Sequence, residues 1–260
     1  MSILPLAGLG VLVTRPDHQA AGLCGLLKAR GAKVLRWRVV DIQANDTREV
    51  AAAMGEIDAI DIAIFASANA VKFGVALLEQ NQDIDLAAIG PATARALNQA
   101  GHHVSVQPSG GFDSESLLDH PALEHLAGRR VLLVKGSKGR VLLEQELRRR
   151  GAQVIVADVY RRVPVLPSAS ELSALHEQLS AGAIQVITAT SLEIAVNLLD
   201  VATPAVRRMF ERVHWLLPGD RIADGIRAHG LSAPLLRADS AEDQDLVEAL
   251  TRWRASTSGA

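Results

Sequence analysis

The sequence predicts an α/β protein with parallel sheets covered by helices. Short β-branched runs alternate with helical patterns along the chain, which is typical of parallel sheets whose strands are connected through helices. Hydrophobic residues make up 48% of the chain and aromatic residues only 3%, so the cores have to be aliphatic. With 260 residues, the chain is long enough for two domains of roughly 100–150 residues each.

The predicted strands follow one another at regular intervals, and the first is followed by a well-marked helix. Pro16 suits a first helical position, and Gly31 suits a left-handed stop after an apolar stripe, so a helix is predicted over 20–30. The segments predicted as strands are 11–14, 34–39, 60–66, 87–89, 104–107, 131–135, 154–159, 185–189, 213–217 and 235–237.

An internal repeat organises the chain. VLVTRPDHQ…LLKARGAKV, which begins at Val11, resembles VLLVKGSKG…ELRRRGAQV, which begins at Val131. The offset is constant, since 131 − 11 = 120 and 151 − 31 = 120. The repeat predicts two similar α/β units, although any two doubly wound units share such an apolar pattern. Polar or proline-containing stretches near 37–46 and 160–170 are the candidate linkers.

Charge and cysteine usage exclude several classes of protein. A formal net charge of −2 argues against a generic nucleic-acid binder or a membrane-surface protein. Cys24 is the only cysteine, which rules out an internal disulfide and a cysteine-rich metal site. No leader pattern and no apolar run long enough to span a bilayer stand out, so a cytoplasmic location is expected. The eight histidines are scattered rather than spaced as ligands, so no metal is expected.

Small polar residues follow the predicted strands at turns where ligands bind in open α/β sheets. Ser67 and Asn69 follow one strand, and Thr190 and Ser191 follow another. Free backbone N–H groups at such turns attract carboxylates or phosphates. Plain helix N-capping explains any single one of these residues equally well. Signatures such as GxGxxG, GxxxxGK[ST], GxSxG and HExxH do not occur.

Cations and a threonine occupy comparable turns. Arg15 follows the first strand, and Lys135 and Gly136 stand at the matching place in the second unit, where both cations would suit an anion. A solvated basic turn is the alternative. Gly90 ends a strand and places Thr93 in the first turn of a helix. The only tyrosine of the chain, Tyr160, lies on a strand, where a packing role is the alternative to chemistry.

Several segments follow one another in a telling order and spacing: VLVTRP, IFASANAV, IGPATARAL, FDSESLL, VLLVKGSKGR, RGA-V…VYRR and GDRIA…AHG. Taken together, they resemble the uroporphyrinogen-III synthase family over nearly the whole chain. The resemblance implies two flavodoxin-like parallel-sheet domains joined by a two-stranded linker. One domain would be discontinuous, formed by 1–38 and 166–260, and the other would comprise 39–165.

The resemblance also implies a cofactor-free lyase that converts hydroxymethylbilane to uroporphyrinogen III with inversion of ring D and loss of water. Orientation would dominate catalysis, because the substrate is a flexible linear polycarboxylate that also cyclises unaided to the wrong isomer. Tyr160 and Thr93 are the expected catalytic residues, with Tyr160 assisting departure of the hydroxyl group and Thr93 anchoring a carboxylate arm. The expected substrate-binding residues are Arg15, Ser67, Asn69, Gly90, Lys135, Gly136, Thr190 and Ser191. Neither nucleic acid nor membrane is an expected partner, and a monomer is expected.

This chain departs from the family pattern at two positions. Lys135 stands where arginine is common, which keeps the charge but not the bidentate geometry. Ile222 replaces the threonine of the first copy of the repeat. Two rival functions share the architecture: a two-lobed small-molecule sensor without catalytic activity, and a flavin- or nucleotide-binding protein of flavodoxin type. The first would ordinarily carry a DNA-binding segment and the second a phosphate loop, and neither pattern is evident.

Overall fold

A computed structural model describes residues 4–55, 60–78, 84–108, 110–111, 113–139 and 141–258. The strands are β1 Gly10–Val13, β2 Lys33–Arg36, β3 Val40–Ala44, β4 Ile62–Phe65, β5 Asp85–Ala88, β6 Arg130–Gly136, β7 Gln153–Pro164, β8 Val186–Thr188, β9 His214–Leu217 and β10 Leu235–Arg237. The helices are α1 Asp17–Ala29, α2 Arg48–Gly55, α3 Ala68–Gly74, α4 Pro91–Gln99, α5 Ser114–Leu118, α6 Leu142–Arg149, α7 Ala169–Ser180, α8 Leu192–Val201, α9 Pro204–Phe210, α10 Asp220–Ala228 and α11 Asp243–Ser258.

The strands form two five-stranded sheets, in the orders β10-β9-β8-β1-β2 and β3-β7-β6-β4-β5. The pairings from β10 to β2 and from β7 to β5 are parallel, which confirms the predicted α/β class. β3 pairs with β7 in the opposite sense, because Val165 N–H donates to Val39 O and Asn45 N–H donates to Val159 O.

The chain divides into two compact units. Unit 1 comprises Met1–Asp41 and Val163–Ala260, and unit 2 comprises Ile42–Arg162. The expected domain limits lay at 38/39 and 165/166. Both divisions fall within strands, in β3 and near the end of β7, in the stretches read from sequence as linkers.

Each unit buries aliphatic side chains on both faces of its sheet. In unit 1, α1 and α11 cover one face through residues such as Leu23 and Leu250, and a second cluster around Trp215 fills the other. In unit 2, a cluster containing Phe65 lies on one face and a cluster containing Leu147 lies on the other. Because both faces are covered, the ligand-accessible positions of each sheet are the ends of its strands.

The repeated strand–helix–strand segment is present in both units with the spacing read from the sequence. β1 and β6 begin at positions 10 and 130, and β2 and β7 begin at positions 33 and 153. The glycine before the second strand is left-handed in both copies, with φ of 91° at Gly31 and 86° at Gly151. The first helix differs slightly from its prediction: Pro16 is the N-cap residue, and the helix ends at Ala29.

Two strand predictions need correction. Residues 104–107 form no strand and contribute only an isolated bridge between Val106 and Ala87. β3 was not among the strands predicted from local pattern, because its segment was read as a polar linker, although the family resemblance implies a two-stranded linker. Its pairing partner lies more than 100 positions away in β7, so no local pattern marks it.

Candidate functional site

A cavity of about 280 Å³ opens at the carboxyl ends of the parallel strands of unit 2. This is the edge of the sheet at which open α/β folds bind ligands. Three residues expected from the sequence, Lys135, Gly136 and Tyr160, line it together. Its other described lining residues are Ala66, Ile89, Asp113, Ser114, Leu133, Gly139 and Leu143.

The phenol of Tyr160 is held at the cavity by Ser67. Tyr160 is buried, and its hydroxyl oxygen lies 3.2 Å from Ser67 Oγ. Ser67 is the N-cap residue of α3, and its Oγ accepts a hydrogen bond from Ala70 N–H at 3.0 Å. Ser67 therefore has the N-capping role that was the alternative to ligand binding, and it also contacts Tyr160.

Gly136 allows the ring of Tyr160 to occupy its position. A Cβ atom at residue 136 would lie 2.5 Å from Cζ of Tyr160, closer than such atoms approach. The pairing of β6 with β7 shifts register between Lys135 and Gly136, which brings Gly136 opposite Tyr160. Gly136 therefore contributes space to the site and no functional group.

A polar network fixes the backbone beneath Tyr160. The N–H of Ser137 donates to Tyr160 O at 2.9 Å, and Ser137 Oγ makes a second contact with the same oxygen at 3.3 Å. Asn45 Nδ2 lies 2.8 Å from both Ser137 Oγ and Asp158 O. These contacts connect β3, β7 and the turn after β6, so they restrict rotation of the peptide that carries Tyr160.

Lys135 is a buried cation beside this tyrosine. Only 7% of the residue is exposed, and its Nζ lies 3.0 Å from Asp158 Oδ1, whose side chain is 44% exposed. The contact between Lys135 Nζ and Asp158 Oδ1 does not have hydrogen-bond geometry, so it is an ion pair without a hydrogen bond. An ammonium in such a place needs a nearby anion to offset its lost hydration.

The remaining expected residues of unit 2 do not line the described part of this cavity. Asn69 in α3 and Thr93 in α4 are buried polar residues on two helices that pack together. Gly90 is the N-cap residue of α4 and has an extended backbone, with φ of −172°. The structure thus brings Ser67, Lys135, Gly136 and Tyr160 together and leaves Thr93 outside that group.

The expected residues of unit 1 have local structural contacts. Arg15 is 8% exposed, and its guanidinium donates to Asp243 Oδ1 and to Ala241 O at the start of α11. Ser191 is the N-cap residue of α8, where its Oγ accepts from Ile194 N–H at 3.2 Å. Thr190 is half-buried just after β8.

Sequence reasoning missed the two polar lining residues Asp113 and Ser114 and the partner of Lys135. Ser114 is 5% exposed and begins α5, for which Asp113 is the N-cap residue and accepts from Ser116 N–H at 2.8 Å. The segment FDSESLL was recognised only as a family motif, although its Asp-Ser-Glu pattern marks a helix start. Asp158 carried no signal, because its importance depends on pairing between β6 and β7.

The structure offers two further observations about metals and membranes. Among the residues described above, no three His, Cys, Asp or Glu side chains converge as a metal-binding group. No helix in those same ranges combines the length and the apolar character needed to cross a bilayer.

Comparison with known proteins decides the family. The family model described as uroporphyrinogen-III synthase HemD matches residues 22–248, which is most of the chain. The chain belongs to the uroporphyrinogen-III synthase family. The family resemblance read from the sequence is therefore confirmed, and members of this family are lyases of tetrapyrrole biosynthesis.

Full-length relatives and solved structures agree with this family. The uroporphyrinogen-III synthase of Escherichia coli K12 is 29% identical over 93% of this chain and all of its own length. That of Salmonella typhimurium is 28% identical with the same coverage. In fold, the chain is similar to a mutant enzyme of this name from Thermus thermophilus, with a TM-score of 0.61, 21% identity and coverage of 97% of this chain and 100% of the other. The uroporphyrinogen-III synthetase of Helicobacter pylori gives a TM-score of 0.60 at 17% identity, with coverage of 96% and 99%. These matches do not favour the non-catalytic sensor.

Proposed function

We propose that this chain cyclises hydroxymethylbilane to uroporphyrinogen III, inverting ring D, and that the cavity of unit 2 holds the reacting end of the substrate. The observation that carries the proposal is the placement of the Tyr160 phenol. The phenol lies at the carboxyl ends of the parallel strands, as expected from the sequence. Ser67 positions it, and it shares a cavity with the buried cation Lys135.

Tyr160 assists the first step, in which the hydroxyl group of the substrate departs. As a hydrogen-bond donor, its phenol stabilises the negative charge that develops on the leaving oxygen, which departs as water after gaining a proton. The carbon left behind is an azafulvene-type cation. Ser67 Oγ can accept a hydrogen bond from the phenol or donate one to it. The direction of this hydrogen bond can therefore change as the charge on the leaving oxygen appears.

Ring inversion follows, and no side chain of the protein acts as a nucleophile in it. The substituted carbon of ring D attacks the cation to give a spiro intermediate, which fragments and recloses in the inverted sense. The proton lost from the closing pyrrole balances the proton carried away by water. Since every step is a heterolytic bond change, the proposal includes no cofactor.

The contribution of the protein is then mainly geometric. A flexible polycarboxylate has to be held in one folded shape, and orientation of this kind can lower a barrier by about 7–11 kcal/mol in favourable cases. Lys135 supplies a local positive charge for a carboxylate arm, although the whole chain carries a net charge of −2. Contacts of Asn69, Gly90, Thr93, Thr190 and Ser191 with the substrate stay predictions. The substrate contact expected of Arg15 is not part of the proposal, because its guanidinium already donates to Asp243.

The proposal extends to a cytoplasmic monomer. The single cysteine, Cys24, is buried and free, and burial raises the pKa of its thiol, so oxidation to an intermolecular disulfide is disfavoured. Size-exclusion chromatography with light scattering tests the monomeric state.

Product analysis tests the activity. Purified protein is supplied with hydroxymethylbilane, and the oxidised products are separated by chromatography into type I and type III isomers, with buffer alone as the control. We expect type III to dominate with the protein and type I in buffer. Type I alone in both samples would contradict the proposal, and a visible absorption spectrum of a bound flavin would favour the rival binding function.

A further inference from the structure

One wall of the cavity in unit 2 places Ser114 beside Lys135, and Asp158 contacts the lysine; of the three, the proposed reaction has used only Lys135. Ser114, Lys135 and the neighbouring Asp158 all lie within this unit. We infer that Lys135 and Ser114 form an enclosed subsite for a single carboxylate arm of the substrate, with Asp158 as the residue that positions the lysine ammonium. This inference rests on the proposed function, since it concerns a substrate that carries carboxylate arms.

Burial makes Lys135 a binding group rather than a solvated surface charge. Burying an ammonium is costly unless an anion and hydrogen-bond acceptors replace its hydration. Asp158 supplies the anion at 3.0 Å, but the contact lacks the direction of a hydrogen bond. Within the parts of the chain that the structure describes, no residue accepts a hydrogen bond from the ammonium. An incoming carboxylate would supply that acceptor.

Ser114 adds a hydroxyl donor to the same cavity. It is 5% exposed and stands at the first position of α5, where packing limits its movement. Asp113 also lines the cavity and brings a negative charge that opposes a bound carboxylate. Its carboxylate is already engaged as the N-cap of α5, accepting from Ser116 N–H, which offsets that charge.

The size and walls of the cavity fit one carboxylate arm. A cavity of about 280 Å³ is ample for a two- or three-carbon carboxylate. Ile89, Leu133 and Leu143 provide an apolar wall for the methylene groups. The polar end of the arm would then lie between Lys135 and Ser114, and the Tyr160 phenol would stay free for the leaving hydroxyl group.

Asp158 is assigned a positioning role because it contacts the lysine and is not among the described residues that line the cavity. Its carboxylate is on the neighbouring strand, paired in register with Lys135. The register of two central strands fixes the separation of the two charges. Without this anion the ammonium would lose its partner in the empty site and could turn away from the subsite.

Kinetics of isosteric variants test the subsite. We expect Lys135→Met to raise KM for hydroxymethylbilane at least tenfold and Ser114→Ala about threefold, with little change in kcat. Lys138→Met is the matched control, because Lys138 is exposed three positions further along and should change KM less than twofold. Asp158→Asn should raise KM in the wild-type background and have no further effect in the Lys135→Met background. Thermal unfolding of each variant reports folding, and Lys135→Arg, which keeps the charge, should recover part of the affinity.

A panel of substrate analogues provides the second measurement. Each analogue has one arm carboxylate replaced by a methyl group. For one analogue, the wild-type KM should rise to that of Lys135→Met. The KM of Lys135→Met itself should be the same for this analogue as for hydroxymethylbilane. If the wild type forms type III product while Lys135→Met and Lys138→Met have equal KM values, the subsite is wrong and the proposed function stands. If the wild type forms only type I, the proposed function itself fails.

Discussion

The hydroxyl oxygens of Tyr160 and Ser67 lie 3.2 Å apart, although the two residues are 93 positions apart in the chain. Ser67 caps α3, and Tyr160 is the last residue of β7 that pairs with β6, so a helix start and a strand carry the pair. A hydrogen bond between these groups fixes the phenol without sequestering it, because each hydroxyl oxygen can both donate and accept.

Tyr160→Phe should lower kcat about a hundredfold while leaving folding intact. The ring would keep its place over Gly136 and beside Phe73, whose ring centre lies 6.1 Å away, so only the hydroxyl is lost. Steady-state kinetics with isomer separation and thermal unfolding measure the two effects. An unchanged kcat would remove Tyr160 from the mechanism.

A pair of N-cap variants separates contact with Tyr160 from capping itself. Ser67→Ala and Thr203→Ala each remove a side-chain oxygen that accepts from a backbone N–H, so each should cost about 1 kcal/mol of unfolding free energy. Ser67→Ala alone should also lower kcat, because Ser67 contacts Tyr160 whereas Thr203 caps α9 in unit 1. Equal kcat values for the two variants would contradict a role for the Ser67–Tyr160 contact.

Gly136→Ala should lower kcat and destabilise the protein by about 1–3 kcal/mol. The added methyl group would lie 2.5 Å from the Tyr160 ring, and the ring has to move away from its position. The control is Gly25→Ala in α1, where a Cβ atom meets nothing within 4 Å. That variant should retain full activity and gain about 0.5–1 kcal/mol, since alanine favours a helix over glycine. Full activity of Gly136→Ala would show that the ring position is not critical.

Much of the fold could be predicted, because strand and helix signals in this chain are local. Alternating β-branched runs located β1, β4, β6 and β9 closely, and the glycines at 31 and 151 marked the same turn in both units. Local pattern missed β3, since its stability comes from pairing with β7, and only the two-stranded linker implied by the family resemblance pointed to a strand there.

The site was only partly predictable for a related reason. Strand ends place Lys135 and Tyr160 at one edge of the sheet, and their convergence follows from the parallel topology. The register shift that sets Gly136 against Tyr160 depends on the pairing of β6 with β7, so spacing alone does not reveal it. Arg15 was correctly located after β1, but its partner Asp243 is 228 positions away and has no sequence signal.

Glu146→Gln should lower the free energy of unfolding at neutral pH, and should lower it much less in acid. Hydrogen bonds from Arg149 and then Arg150 lower the pKa of the Glu146 carboxyl from 4.5 to about 2. Because the folded-state pKa is depressed, the stabilisation is complete above pH 4.5 and is lost as the pH falls towards about 2. Arg150 also donates to Leu118 O and Leu123 O, so the pair supports the segment that follows Ser114.

Urea unfolding at several pH values measures this effect. The difference in midpoint between wild type and Glu146→Gln should be constant from pH 7 to about 5 and shrink between pH 4.5 and 2. Glu144→Gln is the control, because Glu144 pairs only with Arg148 one helical turn away among the ion pairs of the described chain. A midpoint difference that does not change with pH would contradict the assigned ion pair.

Arg15→Met should lower the unfolding free energy by about 2–4 kcal/mol and change KM little. The guanidinium is buried and already donates to Asp243 and to Ala241 O, so its contacts join the turn after β1 to the start of α11. A substrate carboxylate would have to displace Asp243 to bind there, and the exchange of one carboxylate for another offers little net gain. Arg252→Met is the control, since Arg252 and Asp239 form an exposed pair at 3.1 Å that should contribute less than about 1 kcal/mol. Denaturant unfolding and KM for hydroxymethylbilane, measured on both variants, separate the two roles: a stable Arg15→Met variant with a strongly raised KM would assign Arg15 to the substrate instead.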